Sequence, residues 1–372
     1  MSFLVVRNDN YSYLVITTTI LALFVLIQVI FWWQFYSTIL SFKSSDSCNN
    51  QPFVSVLICA KNEEKNIRNC ILSIIDQEYP SFEIIVMDDF STDGTFGILQ
   101  DLLAQGHEII LQKPEKDQLG KKHAIAQGVS LSNGQWLLLT DADCIPKTNQ
   151  WIASMMQKST PNKDLVLGYG AYIKEPRLLN KIIRYETYYI ALQYFTSAIN
   201  SRAYMGVGRN LAFRKSAFIN NMPFRDFTHA SGDDDAIVQS LAKDDNVGIC
   251  INKNGFTYSN PKNTLRQYFG QKRRHISPSL SYSLLHQWKL GILGGTHVSV
   301  YALALISFLL GNWTIPVILL AVRWILIALV SKKLLQIFSE KNLLTFIPIL
   351  DLFLAIFYFF QLLCIPFKKK NW

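Results

Sequence analysis

Charge is what this 372-residue chain has least of: Asp, Glu, Lys and Arg make up 17% of it, where soluble domains carry about 25%. Hydrophobic residues make up 50%, and the mean hydropathy is +0.17. A disordered or collagen-like chain is thereby excluded. Cysteine is sparse and scattered. The six (Cys48, Cys59, Cys70, Cys144, Cys250, Cys364) form no C-x-x-C pair, so neither a zinc centre nor a disulfide scaffold is expected. Most of them read as small buried hydrophobes in a reducing compartment. Nucleic-acid-binding motifs are missing too. The surplus of +9, from 36 Lys and Arg against 27 Asp and Glu, lies largely beside apolar tracts rather than interleaved with aromatics on a strand. Nucleic acid is therefore not an expected partner, and a membrane is.

What the chain does have is long apolar runs at both ends. After a short segment, residues 1–12, no residue from Tyr13 to Tyr36 is charged. At ~1.5 Å per residue such a helix crosses ~30 Å of hydrocarbon. Trp32, Trp33 and Tyr36 crowd one end of it as an interfacial aromatic belt would. The run is too long for a signal peptide and no A-x-A site follows, so a retained helix over 13–36 is expected. Residues 291–365 hold three more apolar runs, Gly291–Leu310, Trp313–Val330 and Leu343–Ile365, followed by a basic tail, 366–372. Gly311-Asn312 is a hairpin-like link. Ser331–Asn342, with Lys332, Lys333 and Lys341, reads as a cytoplasmic loop by the positive-inside rule. The expectation is a multi-pass protein of a bacterial inner membrane with residues 52–285 on the cytoplasmic side. The Lys368–Lys370 cluster runs against that count, and Pro348 and Asp351 interrupt the last run. Residues 278–290 have the pattern of an amphipathic helix in the headgroup plane (Leu280, Leu284, Leu285, Trp288, Leu290), with the chain diving at Gly291.

Residues 52–285 have ordinary charge density and Gly/Pro punctuation. Val54–Ala60, Phe82–Met87, His107–Leu111 and Trp136–Leu139 read as buried strands, and Asn66–Asp76 and His123–Leu131 as helices between them. Strand alternating with helix predicts an α/β domain with a mostly parallel sheet flanked by helices. Ligands bind such sheets beyond the carboxyl ends of the strands. Glu63, Asp88, Asp89, Asp141 and Asp143 all fall at such ends.

A lone D-x-D is most simply a turn or a helix cap. Here Asp141-x-Asp143 directly follows a hydrophobic strand, and a second acidic pair stands at Asp88-Asp89. Paired carboxylates in that setting suit Mg²⁺ or Mn²⁺ bridging to phosphates. Asp233-Asp234-Asp235 precedes a helical pattern. The helix dipole alone rewards each by ~0.3–1 kcal/mol, but one cap would suffice, and the functional reading is a general base acting on a hydroxyl. Gln271-Lys272-Arg273-Arg274-His275 reads either as a lipid-binding basic patch or as cations that neutralise a diphosphate. Lys121 and Lys122 have the same two readings, solvated or diphosphate-binding. The aromatic segment Ile182–Ile199 (Tyr185, Tyr188, Tyr189, Tyr194, Phe195) reads as core, or as a sugar-stacking or lipid-facing surface.

In order along the chain, V-S-V-L-I-C-A-K-N-E-E-K-N-I, I-I-V-M-D-D-F-S-T-D-G-T, L-L-L-T-D-A-D, G-V-G-R-N-L-A-F-R-K, S-G-D-D-D-A-I-V and Q-K-R-R-H resemble a membrane-embedded family-2 glycosyltransferase of GT-A fold. The last is similar to the Q-x-x-R-W box of polysaccharide synthases and ceramide glucosyltransferase, with His275 in place of Trp. The resemblance spans residues 52–285. It implies inverting transfer from a nucleotide-diphosphate sugar, UDP-linked, to a lipid or growing-glycan hydroxyl at the membrane. It further implies that Glu63, Asp88, Asp89, Lys121 and Asp141 bind the donor, and that Asp141 and Asp143 hold Mg²⁺ or Mn²⁺. Asp234, with Asp233 beside it, would be the base, and Gln271, Arg273 and Arg274 would close over diphosphate and acceptor. The reading from another class is a non-catalytic scaffold subunit of a polysaccharide export complex. It would be marked by loss of the D-x-D or the base, and both are present.

Overall fold

The computed structural model describes residues 2–43, 51–115, 120–225, 232–275 and 281–364. It divides into a helical unit, Met1–Ser41 with Ser279–Trp372, and an α/β unit, Phe42–Pro278. Helix α1 (Ser2–Ser41) opens the first. The α/β unit runs β1 (Val54–Ala60), α2 (Ile67–Ile75), β2 (Phe82–Asp88), α3 (Thr95–Ala104), β3 (Ile110–Gln112), α4 (Lys121–Leu131) and β4 (Trp136–Asp141). It continues through β5 (Cys144–Pro146), α5 (Trp151–Met156), β6 (Leu165–Leu167), β7 (Gly170–Tyr172), α6 (Leu178–Ile199), β8 (Leu211–Arg214) and α7 (Lys215–Asn221). Last come α8 (Asp233–Leu241), β9 (Val247–Ile249), β10 (Thr257–Ser259) and α9 (Leu265–His275).

The main sheet has the order β3-β2-β1-β4-β8-β6-β9, and β5-β10-β7 form a smaller one. Strands β3, β2, β1 and β4 are parallel, while β8 runs antiparallel to β4 and β6. Chain order reverses at β1, whose neighbours are β2 and β4, and that switch point is where α/β sheets bind ligands. The register decides what stands there. Ala60 lies opposite Asp88 and Cys59 opposite Asp141, so two carboxylates flank the end of β1.

Both faces of β1 are covered, which is why its sequence is continuously apolar. Val54, Val56 and Ile58 share a buried cluster with Cys70, Ile71 and Ile74 of α2 and Leu99 and Leu102 of α3. On the other face α4 lies so close that a Cβ at Gly128 would be 2.4 Å from Leu57 Cδ1. Strand β3 begins three residues later than the sequence pattern suggests, and β4 runs on through Thr140 to Asp141. The aromatic segment is core: Tyr185, Tyr188, Tyr189, Tyr194 and Phe195 of α6 are all buried. Of the described cysteines, Cys70, Cys144 and Cys250 are buried, Cys59 is half-buried, and all four are free thiols.

The helical unit adds α10 (Leu284–Leu309), α11 (Thr314–Ile337) and, after a 3₁₀ stretch over Lys341–Phe346, α12 (Ile347–Cys364). Among the described residues, four segments are long and apolar enough to cross a membrane: Ser12–Ser41, Leu284–Leu309, Thr314–Ile337 and Lys341–Phe360. Three expectations are corrected here. Helix α10 is continuous through Gly291, so no separate in-plane helix ends there. Helix α11 reaches Ile337, which makes Lys332 and Lys333 helical rather than loop residues. Trp32 is buried, and it is Trp33 that is exposed, its ring tilted against Tyr36 with centroids 5.5 Å apart. Pro278 and the Lys368–Lys370 cluster lie outside the described residues.

Polar groups in this unit are gathered rather than scattered, as apolar surroundings demand, because a buried polar group needs a partner. Asp351 of α12 accepts from Arg323 of α11 and Tyr301 of α10, and His297 Nε2 lies 3.2 Å from its Oδ1. Gln28 of α1 donates to the Leu293 carbonyl at 2.8 Å and to Thr296 Oγ1 at 2.6 Å. All four helices thus meet in one buried polar layer.

Candidate active site

The floor of the site is two interlocked loops. Lys61–Glu64 leaves β1 and Asp89–Gly94 leaves β2. The Asn62 amide donates to Ser91 Oγ at 3.0 Å, the Thr92 amide to Asn62 Oδ1 at 2.8 Å, and the Gly94 amide to Glu64 Oε2 at 3.0 Å. Asn62 takes a left-handed backbone, φ 57, to let this happen. Asp89 faces both this loop and the start of α4: its Oδ2 pairs with Lys61 Nζ at 3.1 Å, and its Oδ1 accepts the Gly120 amide at 3.4 Å. Asp88 is fully buried. Its Oδ2 accepts the Ser91 amide at 3.3 Å, while Oδ1 has no hydrogen-bond partner among the described residues. Such an orphaned buried acceptor suits a ligand that brings a donor. Glu63 sits on the α2 side, held by Asn66 Nδ2 at 2.7 Å. Burial, with Asp143 nearby, raises its carboxyl above the usual range.

At the end of β4, ligand atoms of Asp141, Asp143 and Cys144 lie within 4.8 Å of one another. The donor set is hard and fits Mg²⁺ or Mn²⁺. Cys144 is not part of it. Burial and Asp143 push its thiol well above the ordinary value, and it lies within hydrogen-bonding distance, 3.5 Å, of Asp143 Oδ1. Burial and then Asp141 likewise raise Asp143, with Arg209 and Lys262 pulling it down. Lys121, the first residue of α4, reaches Asp141 Oδ1 at 2.6 Å. Burial acts to lower its pKa, but Asp141 and Asp233 outweigh it and raise it.

The acidic triplet opens α8. Asp234 is anchored by backbone: Oδ2 accepts the Gly208 amide at 2.8 Å and Oδ1 the Asp235 amide at 3.1 Å. Burial lifts its pKa, so it is a stronger base than an ordinary carboxylate. Asp233 is buried with Oδ1 unpartnered among the described residues. Burial and Asp234 push it up to about 6 against the pull of Lys121. The structure therefore links Asp143 and Asp141 through Lys121 to Asp233 and Asp234. A Cβ placed on Gly208 would lie 3.4 Å from Lys121 Nζ and 3.6 Å from Asp234 Oδ2.

The basic box forms the end of α9. Gln271 and Lys272 are half-buried, and Arg273 is exposed. The side chains of Arg274 and His275 lie outside the described residues. Gln271 Nε2 is 3.5 Å from Tyr172 Oη. Lys272 Nζ pairs at 2.7 Å with Glu186 of α6, which also accepts from Tyr268. Residues 268, 271 and 272 share one helix face, as the i, i+3, i+4 spacing requires, and that face docks α9 on the domain.

Sequence reading passed over three residues of this neighbourhood: Arg209, Tyr172 and Glu186. Arg209 stacks over Tyr172 at 4.4 Å, donates to the Ala171 carbonyl at 3.1 Å and Ser259 Oγ at 3.0 Å, and acts on Asp143. Asp143, Arg209, Tyr172 and Gln271 thus run from the D-x-D to the basic helix. A signal for Glu186 was available, because a lone Arg184 and Glu186 within an aromatic helix imply buried pairing.

Residues 55–221 match the family model described as glycosyl transferase family 2. The chain is 34% identical over 125 residues to an uncharacterized glycosyltransferase of Haemophilus influenzae, covering 34% of this chain and 38% of that protein. It is 36% identical over 95 residues to the beta-monoglucosyldiacylglycerol synthase of a Nostoc species, covering 25% of this chain and 20% of that one. Each match thus spans well under half of the relative. A mannosyltransferase of Pyrobaculum calidifontis, solved with GDP-mannose and Mn²⁺, superposes with a TM-score of 0.53 over 92% of this chain and 99% of that one at 17% identity. At that identity the likeness is one of fold, and the fold is GT-A-like.

Proposed function

We propose, from the premise that residues 55–221 form a glycosyl transferase family 2 domain, that this chain is an inverting glycosyltransferase. It would move a sugar from a nucleotide-diphosphate donor to a lipid hydroxyl at the membrane. The observation that carries this reading is that Lys121, paired with Asp141 of the D-x-D, and Asp234 of α8 meet at Gly208. Asp88 and Asp89 take the nucleoside beside the Lys61–Glu64 loop, with Glu63 at its border. Asp141 and Asp143 would hold Mg²⁺ or Mn²⁺, which would supply charge neutralisation of the diphosphate leaving group. Asp234, fixed by the Gly208 amide, takes the proton of the acceptor hydroxyl as it attacks the anomeric carbon opposite the departing diphosphate. Gln271 and Arg273 would close over the diphosphate and acceptor, a role the resemblance also gives to Arg274.

Four apolar segments support a membrane-borne acceptor, and the Nostoc relative is named for a glycolipid product. Lys332, Lys333 and Lys341 support a cytoplasmic catalytic domain. The test is a screen of labelled UDP- and GDP-sugars on membranes holding the full chain, with and without Mn²⁺. One lipid-soluble product spot is expected, whereas a ladder would mean chain extension. Asp234→Ala should abolish transfer and keep nucleotide binding. Near-wild-type turnover in that variant overturns the assignment, and no turnover from any donor in the wild type leaves the scaffold reading.

A further inference from the structure

A cation already sits on the D-x-D, and it belongs to the protein. Lys121 Nζ is 2.6 Å from Asp141 Oδ1, a short charge-assisted hydrogen bond. Its position is built in. Gly120 caps α4 with φ 109, which only glycine adopts without strain, and so starts the helix at the carboxyl edge of the sheet. The same ammonium is 3.4 Å from where a Gly208 Cβ would stand, on the side of Asp234. A lysine is a compact charge on a four-carbon stem. That flexible stem lets the ammonium change partners by rotation about its own bonds.

We propose that Lys121 is an internal stand-in for the divalent ion: it occupies Asp141 while the donor is absent, keeps the free metal ion out, and transfers to the donor diphosphate when ion and nucleotide enter together. The inference rests on the reading of Asp141 and Asp143 as metal ligands. Its physical basis is competition. An entering M²⁺ without nucleotide must take Asp141 from the ammonium and leave the two cations adjacent. The diphosphate removes that conflict, because its oxygens accept the displaced lysine and bind the ion as well. Metal and nucleotide then bind with positive coupling, and coupling between two ligands is reciprocal.

The experiment titrates Mn²⁺ alone, read by the resonance of the free ion, into the purified full chain. Wild type, Lys121→Met, Lys122→Met and Asp141→Asn are compared, each again with UDP and with GDP. Lys122→Met removes the same charge from the neighbouring position and controls for long-range electrostatics. Lys121→Met should bind Mn²⁺ alone at least tenfold more tightly than wild type, and Lys122→Met less than threefold. The ratio of Mn²⁺ affinities with and without nucleotide should shrink at least fivefold in Lys121→Met. Equal Mn²⁺ affinity in wild type and Lys121→Met overturns the inference, as do equal gains in the two lysine variants. Lys121→Gln repeats the test should the methionine variant unfold. If Asp141→Asn binds Mn²⁺ with nucleotide as well as wild type does, the ligand assignment itself is wrong and the inference falls with it.

Discussion

The amide of Gly208 donates to Asp234 Oδ2 at 2.8 Å, and this bond fixes the direction in which the carboxylate faces the cleft. A Cβ at Gly208 makes ordinary contact with Lys121 and Asp234, but a branched side chain pushes them apart. Gly208→Ala should keep transfer within tenfold of wild type. Gly208→Val should lose roughly a hundredfold, the loss that a misplacement of about 1 Å brings, with little change in thermal midpoint. Full activity in the valine variant would show that the bond positions nothing.

Asp233 stands at about 6 because it is buried, whereas an aspartyl group in an unfolded chain titrates near ~3.9. Between those values the folded chain binds more protons than the unfolded one. The contribution to stability is therefore greatest below ~4 and is lost as pH rises through about 6. Asp233→Asn should raise the unfolding free energy by up to ~3 kcal/mol at pH 8, at 1.36 kcal/mol per unit, and by nothing at pH 4. Denaturant titrations of both proteins at the two pH values check this, and a gain equal at both would mean that burial is not the cause.

On the proposed reading, an incoming diphosphate would lie among the carboxylates Asp88, Asp89, Asp141, Asp143, Asp233 and Asp234. Like charges ~4–6 Å apart repel by several kcal/mol at the effective dielectric of a protein site. Lys121 offsets only part of this. Nucleotide affinity measured by calorimetry should therefore drop at least tenfold when chelator replaces Mg²⁺ or Mn²⁺. Equal affinity would sink the idea that the ion is needed for binding as well as for turnover.

Glu186, almost fully buried, holds α9 through Tyr268 and Lys272. Glu186→Gln leaves Lys272 without its counter-charge, at ~1–3 kcal/mol. Hydrogen exchange over residues 265–275 should quicken as the helix loosens. Pairing Glu186→Leu with Lys272→Leu should return most of the stability, since apolar replacement of a buried pair is often neutral or favourable. Additive losses in the double variant would show that the two residues do not act together.

The strands that carry the site were legible because each is a buried Val/Ile/Leu run stopped by a charged residue: β1 before Lys61, β2 at Asp88, β4 at Asp141. Strands β5, β6, β7, β9 and β10 were not, since three residues are too few for a period to register. Glycine misled at Gly291, where it was read as the start of a membrane run but lies inside α10. Propensity against Gly is only ~1 kcal/mol, and packing overrides it. Arg209 and Tyr172 escaped because their meeting joins β7 to the segment before β8, 37 positions on. Long-range pairing leaves no local mark. The same is true of Asp351, which looked like an interruption of an apolar run and is the partner of Arg323.

That pairing also has a consequence for biogenesis. Arg323 precedes Asp351 by 28 residues, so during synthesis the guanidinium reaches the bilayer before its counter-ion has left the ribosome. Near the middle of a helix an unmatched Arg disfavours insertion by ~2.5–3.5 kcal/mol. Helix α11 therefore gains a settled place only once α12 has been made. If α11 and α12 span a bilayer, their insertion should be concerted, and a nascent chain halted between them should be handled by quality control rather than persist as a shorter version of the protein.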